Sequence, residues 1–469
     1  MSKLAGLLMV AALLGACAAG PDYYPPETVP PQHFLHAEAA APESGTLFAD
    51  NERLFWQGFD DPLLGDLIAR TIVGNRSLQA GLARYREAEA LLRGARRNQL
   101  PSVTIGTEVA GQRLARMERI QPDQERSESY QAAVALGWEL DLFGRLSRLA
   151  EASEAELQAT AADQQALQVA LAGQMASSYF QLRGLQQQLL VAEQNVALQQ
   201  ASLDIVSARL DAGRGTLFDQ VRARAQLDAT RAVIPQLEAE IGATMHRIGV
   251  LAGQSPTALI PQLQVPTDLP DSHPAIVAGT PGDLLRRRPD IQAAERRLAA
   301  ASARIGVASA DLFPRFTLDG LLGSMAVSGT DMFTGAAQSG RVALGIDWSF
   351  LDRAQVRARI DAADAQSAEL LADYRQTVLL ALEETETWLL RYHQSQERGA
   401  LLRSATDAAT VAVAQARDRY EQGFIGYFEL LAAEQELTAM RDTLVRSETE
   451  TVLAMVNVYR ALAGAPAGY

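Results

Sequence analysis

Cys17 is the only cysteine in the 469-residue chain. A lone thiol cannot close an internal disulfide, and one cysteine is too few for a zinc site. The five histidines, His33, His36, His246, His273 and His393, are scattered without ligand spacing. There is no Walker loop, no Gly-x-Ser-x-Gly elbow and no HExxH. The glycine-rich stretch "GRGTLF" at Gly213 lacks the lysine of a phosphate loop and reads as a turn. No catalytic constellation, metal site or cofactor site is expected.

The residues before Cys17 suggest a role for it. Lys3 gives a small positive start, Leu4 to Leu14 is an apolar run too short to span a bilayer, and Gly15 and Ala16 are small. Leu14-Gly15-Ala16-Cys17 resembles the lipobox of bacterial lipoproteins. That resemblance implies cleavage before Cys17 and acylation of its thiol. Ala18, where an aspartate would favour inner-membrane retention, implies the outer membrane. Acyl chains contribute roughly 0.8 kcal/mol per buried methylene, so two or three would anchor firmly.

The net charge of −14, with no basic patch, argues against nucleic acid as a partner. No run of 18 apolar residues follows Cys17, so no membrane-crossing helix is expected. Aromatic residues make up only 6%. Alanine, leucine, glutamine, glutamate and arginine dominate, a mixture suited to long helices packed through small side chains.

The elements are written twice. "LARYREAEALLRGARRNQLPSVTIG" from Leu82 is matched by "AERRLAAASARIGVASADLFPRFTLDG", which ends at Gly320. "VALGWELDLFGR" from Val134 is matched by "VALGIDWSFLDR" from Val342. "RLDAGRGTLFDQVRARAQL" from Arg209 is matched by "RYEQGFIGYFELLAAEQEL" from Arg419, and "VLAGQSP" at Val250 by "ALAGAP" at Ala461. These four blocks keep one order, at offsets near 210 residues.

Each half predicts the same elements. A helix stops at Pro101 or Pro314, because proline cannot continue a helix but can begin a strand. Two alternating strands follow, separated by a polar loop. Val134, Leu136, Trp138 and Leu140 share one side in the first half; Val342, Leu344, Ile346, Trp348 and Phe350 do so in the second. That alternation suits a lipid-facing strand and a half-buried soluble strand equally. Proline-free helices then run from about Leu146 to Asp211 and from about Gln355 to Gln422. At 1.5 Å per residue each spans about 100 Å and needs lateral burial against other long helices. Gly213 and Gly423 reverse the chain, and shorter helices return to about Leu251 and Leu462.

With these blocks in place, the sequence resembles the outer membrane factor family, the TolC-like exit ducts, in its OprM- and NodT-type efflux lipoprotein branch. The resemblance rests on the mature start (Cys17, Gly20, Pro21, Asp22, Tyr23, Pro26) and on Trp56, Phe59, Asp61, Pro62 and Leu64. The block Leu285, Arg287, Arg288, Pro289, Asp290, Ile291, Ala294, Glu295, Ala308, Phe313 and Pro314 is its most specific part. It implies a mostly α fold with a small membrane β part: two internal repeats, and a homotrimer closing a 12-stranded β-barrel, four strands per chain, on a periplasmic α-helical barrel. The implied domains are a signal peptide (1–16), an acylated extended segment (17–60), a first repeat (61–254), an equatorial segment (255–282) and a second repeat (283–469).

The implied function is a passive exit duct of a tripartite, RND-type efflux system for drugs or other small toxic compounds. Its partners would be a periplasmic adaptor, an inner-membrane pump and, through acylated Cys17, outer membrane lipid. Adaptor docking is expected at the two helical tips: Arg209, Gly213, Thr216, Leu217 and Asp219 on one, Arg419, Gly423, Gly426, Tyr427 and Phe428 on the other. The family's gate carries a carboxylate ring, but Ala432 stands where close relatives have aspartate. Glu429, Glu434 and Glu436 are therefore the candidate gate carboxylates. Two alternatives are a type I secretion duct and a pore-free periplasmic coiled-coil lipoprotein; the paired strand-loop-strand units count against the latter.

Overall fold

A computed structural model describes residues 18–36, 52–119, 125–270 and 279–463. Cys17 and the signal segment lie outside these residues. The helices in chain order are α1 (Glu52–Gln57), α2 (Pro62–Gly74), α3 (Arg76–Arg97), α4 (Arg145–Asp211), α5 (Leu217–Arg231), α6 (Val233–Leu251), α7 (Ile260–Leu263), α8 (Pro281–Arg287), α9 (Pro289–Ala310), α10 (Arg353–Gln422) and α11 (Tyr427–Ala461). The strands are β1 (Ser102–Arg113), β2 (Arg126–Leu140), β3 (Arg315–Ala326) and β4 (Gln338–Asp347). No described helix is long and apolar enough to cross a membrane. The chain forms two compact units.

The first unit comprises residues up to Glu27, Ala83–Ala162 and Gln292–Gln376. It contains one antiparallel sheet in the order β1-β2-β3-β4. β1 and β3 begin directly after Pro101 and Pro314, as expected. The register pairs Ile105 with Val134, Val134 with Leu322, Leu136 with Gly320, and Gly320 with Val342. Directly opposed residues share a face. One face therefore carries Val103, Ile105, Val109, Val134, Leu136, Leu318, Leu322, Val342, Leu344 and Ile346. The other carries Thr104, Glu108, Gln131, Thr317, Asp319, Ser339 and Arg341 among alanines and glycines. The apolar face is open: Ile105 is 80% and Val342 82% exposed. Along β2 it is bounded by Tyr130 and Trp138, which lie about 26 Å apart at strand rise.

The indole of Trp138 donates to the carbonyl of Gln99 at 3.0 Å, and that of Trp348 to Leu312 at 3.1 Å. Both acceptors sit two residues before the strand-starting proline, so each repeat uses the same tether. Alternation had carried β4 through Trp348 and Phe350, but the strand ends at Asp347 and Phe350–Asp352 form a 3-10 turn. Trp348 serves as a tether beyond the strand end.

The N-terminal segment straps the two repeats together within this unit. The N–H of Ala19 donates to Phe143 at 3.0 Å. Buried Arg148 of α4 reaches the Ala19 carbonyl (3.3 Å) and the Asp22 carboxylate (2.6 Å). Gly20, at φ +86°, lies directly on the backbone of Gly306 in α9, where any side chain would collide. The Tyr23 hydroxyl donates to Glu295 of α9 at 2.6 Å.

The second unit comprises Thr28–Leu82, Asp163–Ile291 and Thr377–Tyr469. Phe55, Trp56, Phe59, Tyr179, Phe180 and Tyr459 form its aromatic core. Asp61 caps α2 through the N–H groups of Leu63 and Leu64, and accepts the Tyr179 hydroxyl. The returning helix of the first repeat is broken at Ala232 into α5 and α6, whereas α11 runs unbroken for 35 residues. Pro235 accounts for the break: it has no N–H for the carbonyl of Arg231, and its ring crowds that carbonyl.

Arg288, from the most specific sequence block, holds this unit's C-terminal helix. It is 8% exposed. Its guanidinium donates to the Ala461 carbonyl at 2.7 Å, to Asp290 at 3.0 and 2.8 Å, and to Glu384 at 2.9 Å. Arg288→Ala leaves the end of α11 unanchored, and the partly exposed Asp290 and Glu384 lose a shared cation. A loss of about 2 kcal/mol is expected, below the full cost of breaking a buried pair. Arg288→Lys, which keeps the charge but not the fork, should recover only part of it. Thermal unfolding of the three proteins measures this, and an unchanged midpoint in Arg288→Ala would refute the role.

Candidate functional site

The two helical tips lie in the second unit, and both are built by the same backbone device. Gly213 has φ +66° and Gly423 φ +84°. The N–H of Gly213 bonds to Leu210 (2.9 Å) and that of Arg214 to Arg209 (2.8 Å); likewise Gly423 bonds to Tyr420 and Phe424 to Arg419, each at 2.9 Å. Both are Schellman closures, which satisfy carbonyls left over at a helix end and need a left-handed residue. The outgoing helices start differently. Thr216 caps α5, accepting from the Asp219 N–H at 3.1 Å and donating its hydroxyl to the Asp219 carboxylate at 2.6 Å. Gly426 stands at the N-cap of α11 with no side-chain cap.

The structure sorts the expected tip residues. Leu217 (64% exposed) and Phe428 (62%) are presented outward. Thr216 and Arg419 are exposed. Tyr427 is not a docking residue in this structure: at 3% exposure it belongs to the core with Leu203, Val206, Leu227, Tyr420 and Leu430. Arg209 is engaged internally, its guanidinium bonded to the Tyr420 carbonyl and 4.5 Å above that ring. It ties the first hairpin to the second.

Among the candidate gate carboxylates, Glu429 and Glu436 are exposed. Glu434 does not fit that role. It is fully buried inside the protomer, accepting from Ser202 and Arg417, so it offers no carboxylate to a lumen in this conformation. Helix periodicity explains the difference: Glu434 follows Tyr427 by seven residues and Leu430 by four, on the inward stripe of α11.

Sequence reasoning missed Phe218 (69% exposed) and Phe424 (76%). With Leu217 and Phe428 they give both reversals exposed apolar side chains, and Arg222 lies 5.0 Å over the Phe428 ring. The signal was present, since large apolar residues flank turn glycines where polar ones normally stand.

Replacing Gly213 or Gly423 by alanine leaves ample room around Gly213 but forces an L-residue into the left-handed region, at about 1–2 kcal/mol. Amide exchange of Arg214 or Phe424 is expected to rise about 5- to 30-fold in the respective variant. Exchange unchanged from the parent protein would show that the closure does not depend on glycine.

The model of the outer membrane efflux protein family matches residues 67–254 and 280–464. The pyoverdine export outer membrane protein OpmQ of Pseudomonas putida is 31% identical over 424 residues, covering 88% of this chain and 88% of that protein. Nodulation protein T of Rhizobium leguminosarum bv. trifolii is 28% identical over 458 residues, 95% of this chain and 94% of that one. Among solved structures, the outer-membrane channel OprN superposes with TM-score 0.89 at 39% identity, covering 96% of this chain and 99% of that one. The Campylobacter jejuni CmeC outer membrane channel superposes with TM-score 0.89 and 17% identity, 96% of this chain against 95% of that one, a likeness of fold alone. A duplicated helix-sheet-hairpin chain with these relatives has the TolC-like fold, and it belongs to the outer membrane efflux protein family.

Proposed function

We propose that this chain is one of three identical subunits of a passive exit duct, the outer membrane part of a tripartite efflux system. The observation that carries this reading is the sheet. Among the described residues, four strands with one exposed apolar face end in two unpaired edges, β1 and β4. Unpaired backbone groups are not tolerated in lipid, so the sheet must close with other copies. Three copies would give a closed 12-stranded barrel, with the apolar face toward lipid and the face of Glu108, Asp319 and Arg341 toward the lumen. Acylated Cys17 would add a lipid tether at the mature N-terminus.

The chain would do no chemistry. An inner-membrane RND-type pump would supply the energy, and a periplasmic adaptor would dock at the exposed tip residues Leu217, Phe218, Phe424 and Phe428. The cargo class is small toxic compounds such as drugs. Among relatives, OpmQ is named for pyoverdine export and TtgI of Pseudomonas putida for toluene efflux.

The native mass of the detergent-extracted mature protein, with the detergent contribution subtracted, tests the assembly. A mass of three chains is expected; a single chain, soluble without detergent once Cys17 is replaced, would leave only a tethered spacer. In planar bilayers, Glu429→Gln and Glu436→Gln test the gate. A lowered cation preference is expected in at least one, because threefold symmetry turns one carboxylate into a ring. Unchanged reversal potentials in both would remove the ring.

A further inference from the structure

Glu434 of α11 has an interior setting unlike any other described carboxylate of the tips. Its Oε1 accepts from the Ser202 hydroxyl of α4 at 2.5 Å and from Arg417 of α10 at 3.1 Å. Its Oε2 is buried without a partner. So are Arg417 Nε, the Tyr427 hydroxyl and both amide atoms of Gln199, one turn before Ser202 on α4. A buried polar atom left unpaired costs about 1–3 kcal/mol, and the desolvation of a buried ion pair can exceed its attraction. Several polar groups ill suited to burial thus lie on α4, α10 and α11 at the level of the apolar cluster of Leu203, Val206, Leu430 and Leu431.

This seam of α4, α10 and α11 has no counterpart in the first hairpin. The register of Gly213 and Gly423 sets Glu434 against Arg224, Arg417 against Ser207, and Ser202 against Ala412. It therefore arises only where the second hairpin lies on α4 of the first.

We propose that Glu434 is a proton-operated latch between the two hairpins. With a proton on its carboxyl the seam of α4, α10 and α11 stays closed; without one the seam opens to hydrate Glu434, Arg417 and Gln199. The physical cause is that burial penalises the charged form more than the neutral one. Burial holds the Glu434 carboxyl above its ordinary range, and the Ser202 and Arg417 hydrogen bonds pull the other way. Among the described residues, Arg417 is the only charge that faces it, from α10. α4 contributes neutral Ser202 and Gln199, and its own helix contributes Tyr427. Asp219 and Arg222 of α5 act on Tyr427. A carboxyl raised in the closed state stabilises that state fully below its ordinary value, and this stability is lost as the pH rises through the raised one.

Hydrogen–deuterium exchange on the intact detergent-solubilised protein tests the latch, between pH 5 and 8 and corrected for intrinsic rates. Protection of residues 427–440 is expected to fall as pH rises, by about tenfold for a shift of one pH unit in the carboxyl. In Glu434→Gln, which cannot ionise, protection stays high throughout. Ser202→Ala removes a donor that favours the carboxylate, so its loss of protection extends to higher pH and becomes larger. A parallel fall in the parent protein and Glu434→Gln would overturn the latch. Should Glu434→Gln fail to fold, Ser202→Ala decides alone: a fall in protection that ends at the same or a lower pH than in the parent protein also overturns it.

Discussion

Backbone groups along the outer edges of β1 and β4, which no other described strand pairs, govern this structure. The sheet is antiparallel and twofold in character, apolar on one face and polar on the other, yet it stops after four strands. In water such edges can be hydrated; in hydrocarbon they cannot. The exposed face of Ile105, Val134, Leu322 and Val342 is suited to hydrocarbon and not to water. The proposed assembly reconciles the two facts by pairing β1 and β4 with strands of other copies. The duplicated sequence follows the same logic, since each repeat contributes one pair of strands and one long helical hairpin.

Much of this was legible because it depends on residues whose constraint is local. Pro101 and Pro314 cannot continue a helix and can stand at the start of a strand whatever surrounds them. Gly213 and Gly423 reverse the chain because a left-handed backbone favours glycine. The break at Ala232 was equally local, since Pro235 was there to be read. Trp348 was misplaced on β4 because alternation continues past the point where hydrogen bonding stops.

What was not legible depends on partners distant in sequence. Glu434 reads as one more surface carboxylate until Ser202, 232 residues away, is seen donating to it. Tyr427 looks like a tip residue and turns out to be core, because Tyr420 and Leu203 cover it. Arg288 stood out as part of a motif, but nothing in its neighbourhood named the carbonyl of Ala461 as its partner. These are tertiary choices, and the pattern of one helix does not encode what lies opposite it.

The N-terminal strap can also be considered as a mechanical joint. Ala19 and Asp22 are fastened to α4, while Gly20 and Tyr23 rest on α9. One helix belongs to each repeat. A pull on the chain ahead of Ala18 is therefore divided between two load-bearing helices, and no single strand edge has to resist it. The fastening is four ionic or hydrogen-bonded attachments in parallel with a close backbone contact, so slack in one is taken up by the others.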